Sequence, residues 1–126
     1  MSRIAIGFGA SSSATPDEIQ ALIIDTLARI KATKPGARPS LLGTLDRRAE
    51  LGQAVARALG LDLRLFTPDS LAGIKGVLTY SCRSLAAAKT PCVAEAAALA
   101  ALGEGAVLLE PRRLGPNSTC AIAEAP

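Results

Sequence analysis

The chain has 126 residues, of which 49% are apolar and 20% are charged, and this predicts one globular domain spanning residues 1–126. Fourteen Lys and Arg residues against eleven Asp and Glu residues give a net charge of +3, with no basic arm. The even distribution of charge along the chain and the small number of aromatic residues, three, argue against nucleic-acid binding. The absence of histidine excludes Ser-His and Cys-His nucleophile pairs and imidazole metal sites.

The cysteines and the hydropathy pattern indicate the cellular setting. Cys82, Cys92 and Cys120 are an odd number without a C-x-x-C pair, so we expect reduced, packed thiols and no metal site. The apolar stretch at the N-terminus is short and stops at Gly9, unlike a signal peptide. The alanine-rich run at residues 93–102 falls well short of the roughly 20 residues that a membrane span needs. We therefore expect a cytoplasmic protein without membrane contact, metal or cofactor.

The first half of the chain alternates strands and helices. Residues 3–9 are typical of a buried strand that enters a loop. Thr15-Pro16 with Glu18 forms a capping-box pattern, which predicts the start of an amphipathic helix that ends before Pro35-Gly36. Residues 40–45 predict a second buried strand. Asp46 is then expected to cap a second helix, which ends at Gly60 and has Leu51, Val55, Ala58 and Leu59 on its inner face.

The second half contributes two more helices and a hairpin. Residues 61–66 alternate as in a strand near a sheet edge, and Thr67-Pro68 opens a short helical turn. Residues 73–89 are the least readable segment, with room for a short strand over residues 77–80. Thr90-Pro91 caps a helix over residues 92–102, which Gly103 ends.

Two final strands, over residues 106–109 and 119–123, are separated by a loop that contains Pro111, Gly115, Pro116 and Asn117. The loop is of hairpin length, so we expect these strands to pair antiparallel. The predicted fold is an α/β three-layer sandwich with a mostly parallel sheet of about five strands and a C-terminal antiparallel hairpin.

One edge of this sheet collects groups that bind anions. Gly7 and Gly9 lead into a loop with the hydroxyls of Ser11, Ser12 and Ser13, followed by a helix N-terminus. Open α/β sheets bind anionic ligands at this position, although a G-x-G pattern also occurs in plain strand-to-helix turns.

Two arginine pairs are expected at the same edge. Thr44 lies near the end of the second strand, Asp46-Arg47-Arg48 follows that strand, and Arg112-Arg113 follows the fourth strand. Guanidinium groups bind carboxylates with two parallel hydrogen bonds, while the alternative for residues 46–50 is a solvated helical turn with an internal Arg-Asp pair. The convergence of these segments predicts a site for a ligand with several carboxylates.

The chain resembles the CobE family of cobalamin biosynthesis, which is similar to the C-terminal domain of CbiG. The resemblance spans nearly the whole chain and rests on residues 4–9, residues 51–61 with Phe66, the V-A-E-A-A-A-L run at residues 93–99, and T-C-A-I-A at residues 119–123. The alanine-rich run in register with the closing strand is its most specific part.

The resemblance implies a role in building the corrin ring, whose intermediates are tetrapyrroles with many carboxylate side chains. CbiG as a whole is associated with opening a ring lactone and releasing acetaldehyde, and we expect here a lone domain that corresponds to its C-terminal part only. Ser11, Ser12 and Ser13 stand where many relatives have a basic pair. Lys89 stands where we expect a glycine in relatives, and it becomes a candidate for meeting ligand charge.

Three hypotheses remain open at this stage. The first is a protein that binds a precorrin or corrinoid intermediate, as a carrier or as a lactone-opening hydrolase, with catalytic residues unassigned. The second is a non-catalytic module that docks on another enzyme of cobalamin biosynthesis through the helix at residues 92–102 or through a sheet edge. The third is a thiol-dependent enzyme that uses Cys82 or Cys92.

Overall fold

The computed structural model of the protein describes residues 3–79 and 92–126. In this part of the chain, no helix is long and apolar enough to cross a membrane. The elements in chain order are β1 (Arg3–Ala10), α1 (Pro16–Thr33), β2 (Pro39–Leu45), a 3-10 turn (Asp46–Arg48), α2 (Ala49–Leu59), β3 (Asp62–Phe66), α3 (Pro68–Ala72), α4 (Val93–Leu102), β4 (Val107–Gly115) and β5 (Ser118–Ala125).

The strands form one mixed sheet in the order β3-β2-β1-β5-β4. The pairs β1·β2 and β2·β3 are parallel, whereas β5 runs antiparallel to both β1 and β4. The expectation of a mostly parallel sheet is therefore wrong, because the C-terminal hairpin inserts β5 beside β1 and so adds two antiparallel junctions. The antiparallel hairpin itself and the edge position of the third strand are confirmed.

The side chains of β1 are divided by size between the two faces of the sheet. Ile4, Ile6 and Phe8 are buried in one cluster with apolar residues of α1 and α2. Ala5 belongs to a second cluster on the opposite face, with residues of α4. This alternation follows from the two-residue period of a strand, and it places helices on both faces of the sheet.

The alanine-rich helix α4 packs directly on the centre of the sheet. Seven of its residues are buried: Ala94, Glu95, Ala96, Ala97, Ala98, Leu99 and Leu102. A methyl group added at Gly7 would collide with the carbonyl oxygen of Ala94, and one added at Gly43 would lie 2.8 Å from the carbonyl oxygen of Ala97. Small residues on both sides therefore permit a short distance between helix and sheet. The buried faces of α4 also leave little of this helix for docking a partner.

The expected helix starts are confirmed in two cases and need correction in two others. Thr15 and Glu18 form the capping box of α1, and the hydroxyl of Thr67 accepts a hydrogen bond from Ser70 N–H at the start of α3. Asp46 does not cap α2: it opens the 3-10 turn, so the helix starts at Ala49. The helix α4 starts at Val93, one residue later than predicted, and Thr90 and Pro91 lie outside the described residues.

The inner face of α2 is rotated relative to the prediction. Ala58 is exposed, whereas Gly52, Val55 and Ala56 are buried. A Cβ atom built on Gly52 would lie 3.0 Å from the Leu63 side chain and 3.2 Å from that of Thr44. The helix therefore brings its glycine toward the sheet, which allows close contact with β2 and β3.

The strand β4 is longer than predicted, because the chain passes Pro111 without leaving the sheet. Two register shifts, between Leu108 and Glu110 and between Glu110 and Arg113, interrupt its pairing with β5. Bulges of this kind on an edge strand accommodate a proline, which has no N–H to donate to a neighbour. The strand β5 also extends further, to Ala125. Residues 77–79 form no strand, and Tyr80 lies outside the described residues.

Candidate functional site

Three connections lie together at the edge of the sheet that is formed by the C-terminal ends of β1 and β2. They are the loops that follow β1 and β2 and the turn between β4 and β5. The parallel pairing of β1 with β2 places their C-terminal ends together. Ala10 at the end of β1 pairs with Ser118 at the start of β5, and the backbone N–H of Ser11 donates a hydrogen bond of 2.9 Å to the carbonyl oxygen of Asn117. The hairpin turn is thus joined to the serine loop.

An open cleft with a volume of about 670 Å³ lies at this edge. One wall is the serine loop with the first residue of α1, and the other is the 3-10 turn with the first turn of α2. Its polar lining residues are Ser11, Ser12, Asp46, Arg47, Arg48 and Glu50, and its apolar lining residues are Ala14, Pro16, Ala49 and Leu51. The cleft therefore joins the two segments that the sequence singled out after the first and second strands.

Arg48 connects the two walls of the cleft. Its Nε atom donates a hydrogen bond of 2.9 Å to the carbonyl oxygen of Ala10, and its side chain is half-buried. A guanidinium group has five N–H donors, so this contact engages only part of the group. Arg47 is exposed beside it. Arg48 is thus held in place from β1, and Arg47 extends the positive charge toward solvent.

The two helix N-termini at the cleft differ in how they are capped. The hydroxyl of Thr15 accepts a hydrogen bond from Glu18 N–H, and the carboxylate of Glu18 accepts one from Thr15 N–H, so α1 is closed by its own residues. At the start of α2, the side chain of the N-cap residue Arg48 makes no capping hydrogen bond. Ala49 and Glu50, the first residues of α2, line the cleft, so the partial positive charge of this N-terminus lies beside it.

Four candidate residues of this region do not line the cleft. Thr44 is fully buried, and its hydroxyl donates a hydrogen bond of 2.9 Å to the carbonyl oxygen of Phe8. Gly7 and Gly9 lie within β1 against α4. Ser13 is exposed in the loop, and its N–H donates to the Ser11 hydroxyl. The two glycines and Thr44 thus position the edge of the sheet from within.

The second arginine pair lies on the other side of β5, inside β4 rather than in the hairpin loop. The guanidinium of Arg113 forms an ion pair of 3.0 Å with Asp25 of α1, and its Nη1 atom is buried without a hydrogen bond. The backbone N–H of Arg112 donates to the carboxylate of Glu95, at 2.8 Å. The structure does not bring either arginine into the lining of the cleft, and Lys89 lies outside the described residues.

Glu95 accepts four hydrogen bonds from described residues, and sequence reasoning gave it no role. It is fully buried and accepts hydrogen bonds from the N–H groups of Leu78, Thr79 and Arg112 and from the Thr79 hydroxyl. Burial alone would raise the pKa of the Glu95 carboxyl, but these hydrogen bonds outweigh burial and lower it. The sequence signal for a buried, hydrogen-bonded carboxylate was the single glutamate within a run of alanines.

The described cysteines are buried and free. Burial raises the pKa of the Cys92 thiol, and it raises the pKa of Cys120 to about 11. Protonated thiols are poor nucleophiles, which weakens the hypothesis of a thiol-dependent enzyme at Cys92, while Cys82 lies outside the described residues. Across residues 3–79 and 92–126, no three Cys, Asp or Glu side chains are grouped to hold a metal ion.

Comparison with known proteins connects this architecture to one pathway. Residues 4–123 match the family described as cobalamin synthesis G C-terminus. The crystal structure of CobE, a protein from the cobalamin (vitamin B12) biosynthetic pathway, superposes with a TM-score of 0.83 and 26% sequence identity, covering 98% of this chain and 93% of that chain.

A second solved structure has the same fold. It is the cobalamin biosynthesis protein chiG from Agrobacterium tumefaciens str. C58, with a TM-score of 0.68 and 25% identity, covering 95% of this chain and 96% of that one. Curated proteins gave no significant match.

Proposed function

Because the chain belongs to the cobalamin synthesis G C-terminus family, we propose that it binds a polycarboxylate tetrapyrrole intermediate of cobalamin biosynthesis in the cleft between the serine loop and the 3-10 turn. Membership of the family places the protein in cobalamin biosynthesis. The ligand and the cleft as its site are the proposal.

The observation that carries the proposal is the placement of Arg47 and Arg48 in an open cleft at the C-terminal ends of β1 and β2. This is where open α/β sheets bind ligands. Arg48 is oriented by its hydrogen bond to Ala10, and the hydroxyls of Ser11 and Ser12 stand opposite. Guanidinium and hydroxyl groups both donate charge-assisted hydrogen bonds to ionised carboxylates.

The position of the second arginine pair narrows the proposed site. Arg112 and Arg113 lie in β4, where Arg113 is paired with Asp25. The proposed ligand-binding side chains are therefore those of Ser11, Ser12, Arg47 and Arg48, with Asp46 and Glu50 beside them. Arg112 and Arg113 are assigned to the support of β4.

The test is a titration of a carboxylated corrin, cobyrinic acid, into wild type, Arg47→Ala, Arg48→Ala and Arg112→Ala at low and moderate salt. Binding is followed by the absorption of the macrocycle. Intrinsic protein fluorescence is a poor signal here, because the chain has no Trp and one Tyr. We expect the two cleft variants to bind roughly tenfold more weakly or worse, with weaker salt dependence. The control is Arg57→Ala, which removes one positive charge, as the other variants do, from an exposed side chain late in α2.

Equal affinity of all five proteins would refute binding in the cleft. A loss confined to Arg112→Ala would move the site to β4. Mass analysis of the macrocycle recovered after gel filtration separates a carrier from a lactone-opening hydrolase when a lactone-bearing intermediate is used, because a carrier returns it unchanged and hydrolysis adds one water.

A further inference from the structure

Among the described residues, the cleft carries as many negative as positive side chains. Arg47 and Arg48 lie on its wall in the same short segment as Asp46 and Glu50. The formal charge of the described lining residues is therefore zero. A site built only for carboxylates would place no carboxylate of its own beside the ligand, since like charges at close range repel.

The two acidic groups are available to a ligand. Asp46 and Glu50 are exposed, and within the described residues neither carboxylate takes part in an ion pair or a side-chain hydrogen bond. An ionised carboxylate is an acceptor only. A ligand group seated against Asp46 or Glu50 must therefore donate a hydrogen bond, and a ligand carboxylate there would be repelled.

We propose that the cleft selects a partly amidated macrocycle, on which uncharged carboxamide groups stand beside the remaining carboxylates. This inference rests on the proposed function and deepens it. Carboxamide N–H groups donate to Asp46 and Glu50, and the remaining carboxylates accept from Arg47, Arg48 and the serine hydroxyls. A carboxamide also accepts through its carbonyl oxygen, so it is tolerated beside the acidic and the basic side chains alike, whereas a carboxylate is tolerated only beside the arginines and the serine hydroxyls.

The reaction class that would supply such a ligand is amidation of a macrocycle carboxylate. That reaction converts an acceptor-only anion into a neutral group with two N–H donors. The discrimination follows from repulsion of the wrong ligand as much as from attraction of the right one, which is how binding sites separate close analogues.

The experiment compares three probes of one ring system: cobyrinic acid, its a,c-diamide, and cobinamide, in which the ring carboxyls are amidated. Each is titrated into wild type, the double variant Asp46→Asn/Glu50→Gln, and a control. The control is Glu104→Gln, which removes one exposed negative charge in the loop between α4 and β4, at the sheet edge opposite the cleft. Unfolding curves of all three proteins confirm that each is folded.

For wild type, we expect the diamide to bind roughly three- to tenfold more tightly than either of the other probes. In the double variant, cobyrinic acid should gain affinity and the preference for the diamide should disappear, while Glu104→Gln keeps the wild-type order.

Tightest binding of cobyrinic acid by wild type, with an unchanged order in the double variant, would overturn this inference and leave the proposed function intact. An equal gain for cobyrinic acid in Glu104→Gln would also overturn it, because overall charge would then explain the effect. Failure of all three probes to bind wild type would refute the proposed function as well.

Discussion

Gly7 of β1 lies directly against the backbone of Ala94 in α4, with no side chain between them. A strand and a helix approach this closely only where the strand residue has no Cβ atom. The V-A-E-A-A-A-L segment and the glycines of β1 are therefore two halves of one packing arrangement, which holds the edge of the sheet where the cleft opens.

Gly7→Ala should destabilise the protein by about 2 kcal/mol or more, because the new methyl group meets rigid backbone atoms of Ala94 and Ala98 that cannot rotate away. Denaturant unfolding followed by far-UV circular dichroism measures the change. Gly36→Ala is the matched control, since nothing lies within 4 Å of the added atom. Equal midpoints for the two variants would show that α4 does not press on β1.

Ala97→Leu should destabilise the packing of α4 on the sheet from the helix side, at its contact with β2. Ala97 is fully buried, and its carbonyl oxygen faces Gly43 of β2, so the larger side chain must displace α4 at a cost of about 1–3 kcal/mol. Ala28→Leu on the exposed face of α1 is the comparison and should unfold with the wild-type midpoint. A wild-type midpoint for Ala97→Leu would mean that the helix tolerates displacement.

Glu95→Gln should destabilise the protein by roughly 1–3 kcal/mol at neutral pH, because the new amide directs N–H groups at donors that the carboxylate now satisfies. The ordinary pKa of a glutamate is 4.5, and that of Glu95 is lowered in the folded protein. Its ionised form therefore stabilises the fold above pH 4.5, and this stabilisation is lost as the pH falls through the folded value.

The free energy of unfolding of wild type, measured between pH 3 and pH 7, should accordingly fall more steeply toward acid than that of Glu95→Gln. The exposed variant Glu104→Gln should follow the wild-type curve. Parallel curves for wild type and Glu95→Gln would assign the acid sensitivity to other carboxylates.

The thiols of Cys92 and Cys120 should react slowly in the native protein, because burial keeps both protonated near neutral pH. The measurement is titration with a thiol reagent at pH 8 in the Cys82→Ser variant, which leaves only these two. Both thiols should become reactive at once in denaturant. Rapid reaction of one thiol without denaturant would contradict its burial.

Much of the local structure follows from the sequence, because its determinants are local. Thr15 with Glu18 and Thr67 with Pro68 mark helix starts by residues within one turn of each other. Pro116 and Asn117 predict the hairpin turn between β4 and β5. Asn117 adopts a left-handed φ of 57°, a conformation that asparagine tolerates in turns. In each case, neighbours along the chain decide the outcome.

The parts that escaped prediction depend on contacts between distant segments. The insertion of β5 beside β1 made the sheet mixed, and no residue pattern within either strand specifies that partner. It also placed Arg112 and Arg113 two strands away from the end of β1. The sequence predicts Gly7 and Gly9 as part of an anion site, whereas the structure packs them against α4, a helix that follows some eighty-five positions later along the chain.

The central position of β1 has a consequence for how the chain is made. Its register pairs Arg3 with Ala125 and Ala10 with Ser118, so one side of β1 stays unpaired until β5, which follows all the other described strands, has left the ribosome. An apolar strand with an open edge is prone to associate with other chains. Contacts so far apart in sequence also slow folding. Synthesis of this protein should therefore be sensitive to chaperone supply and to temperature.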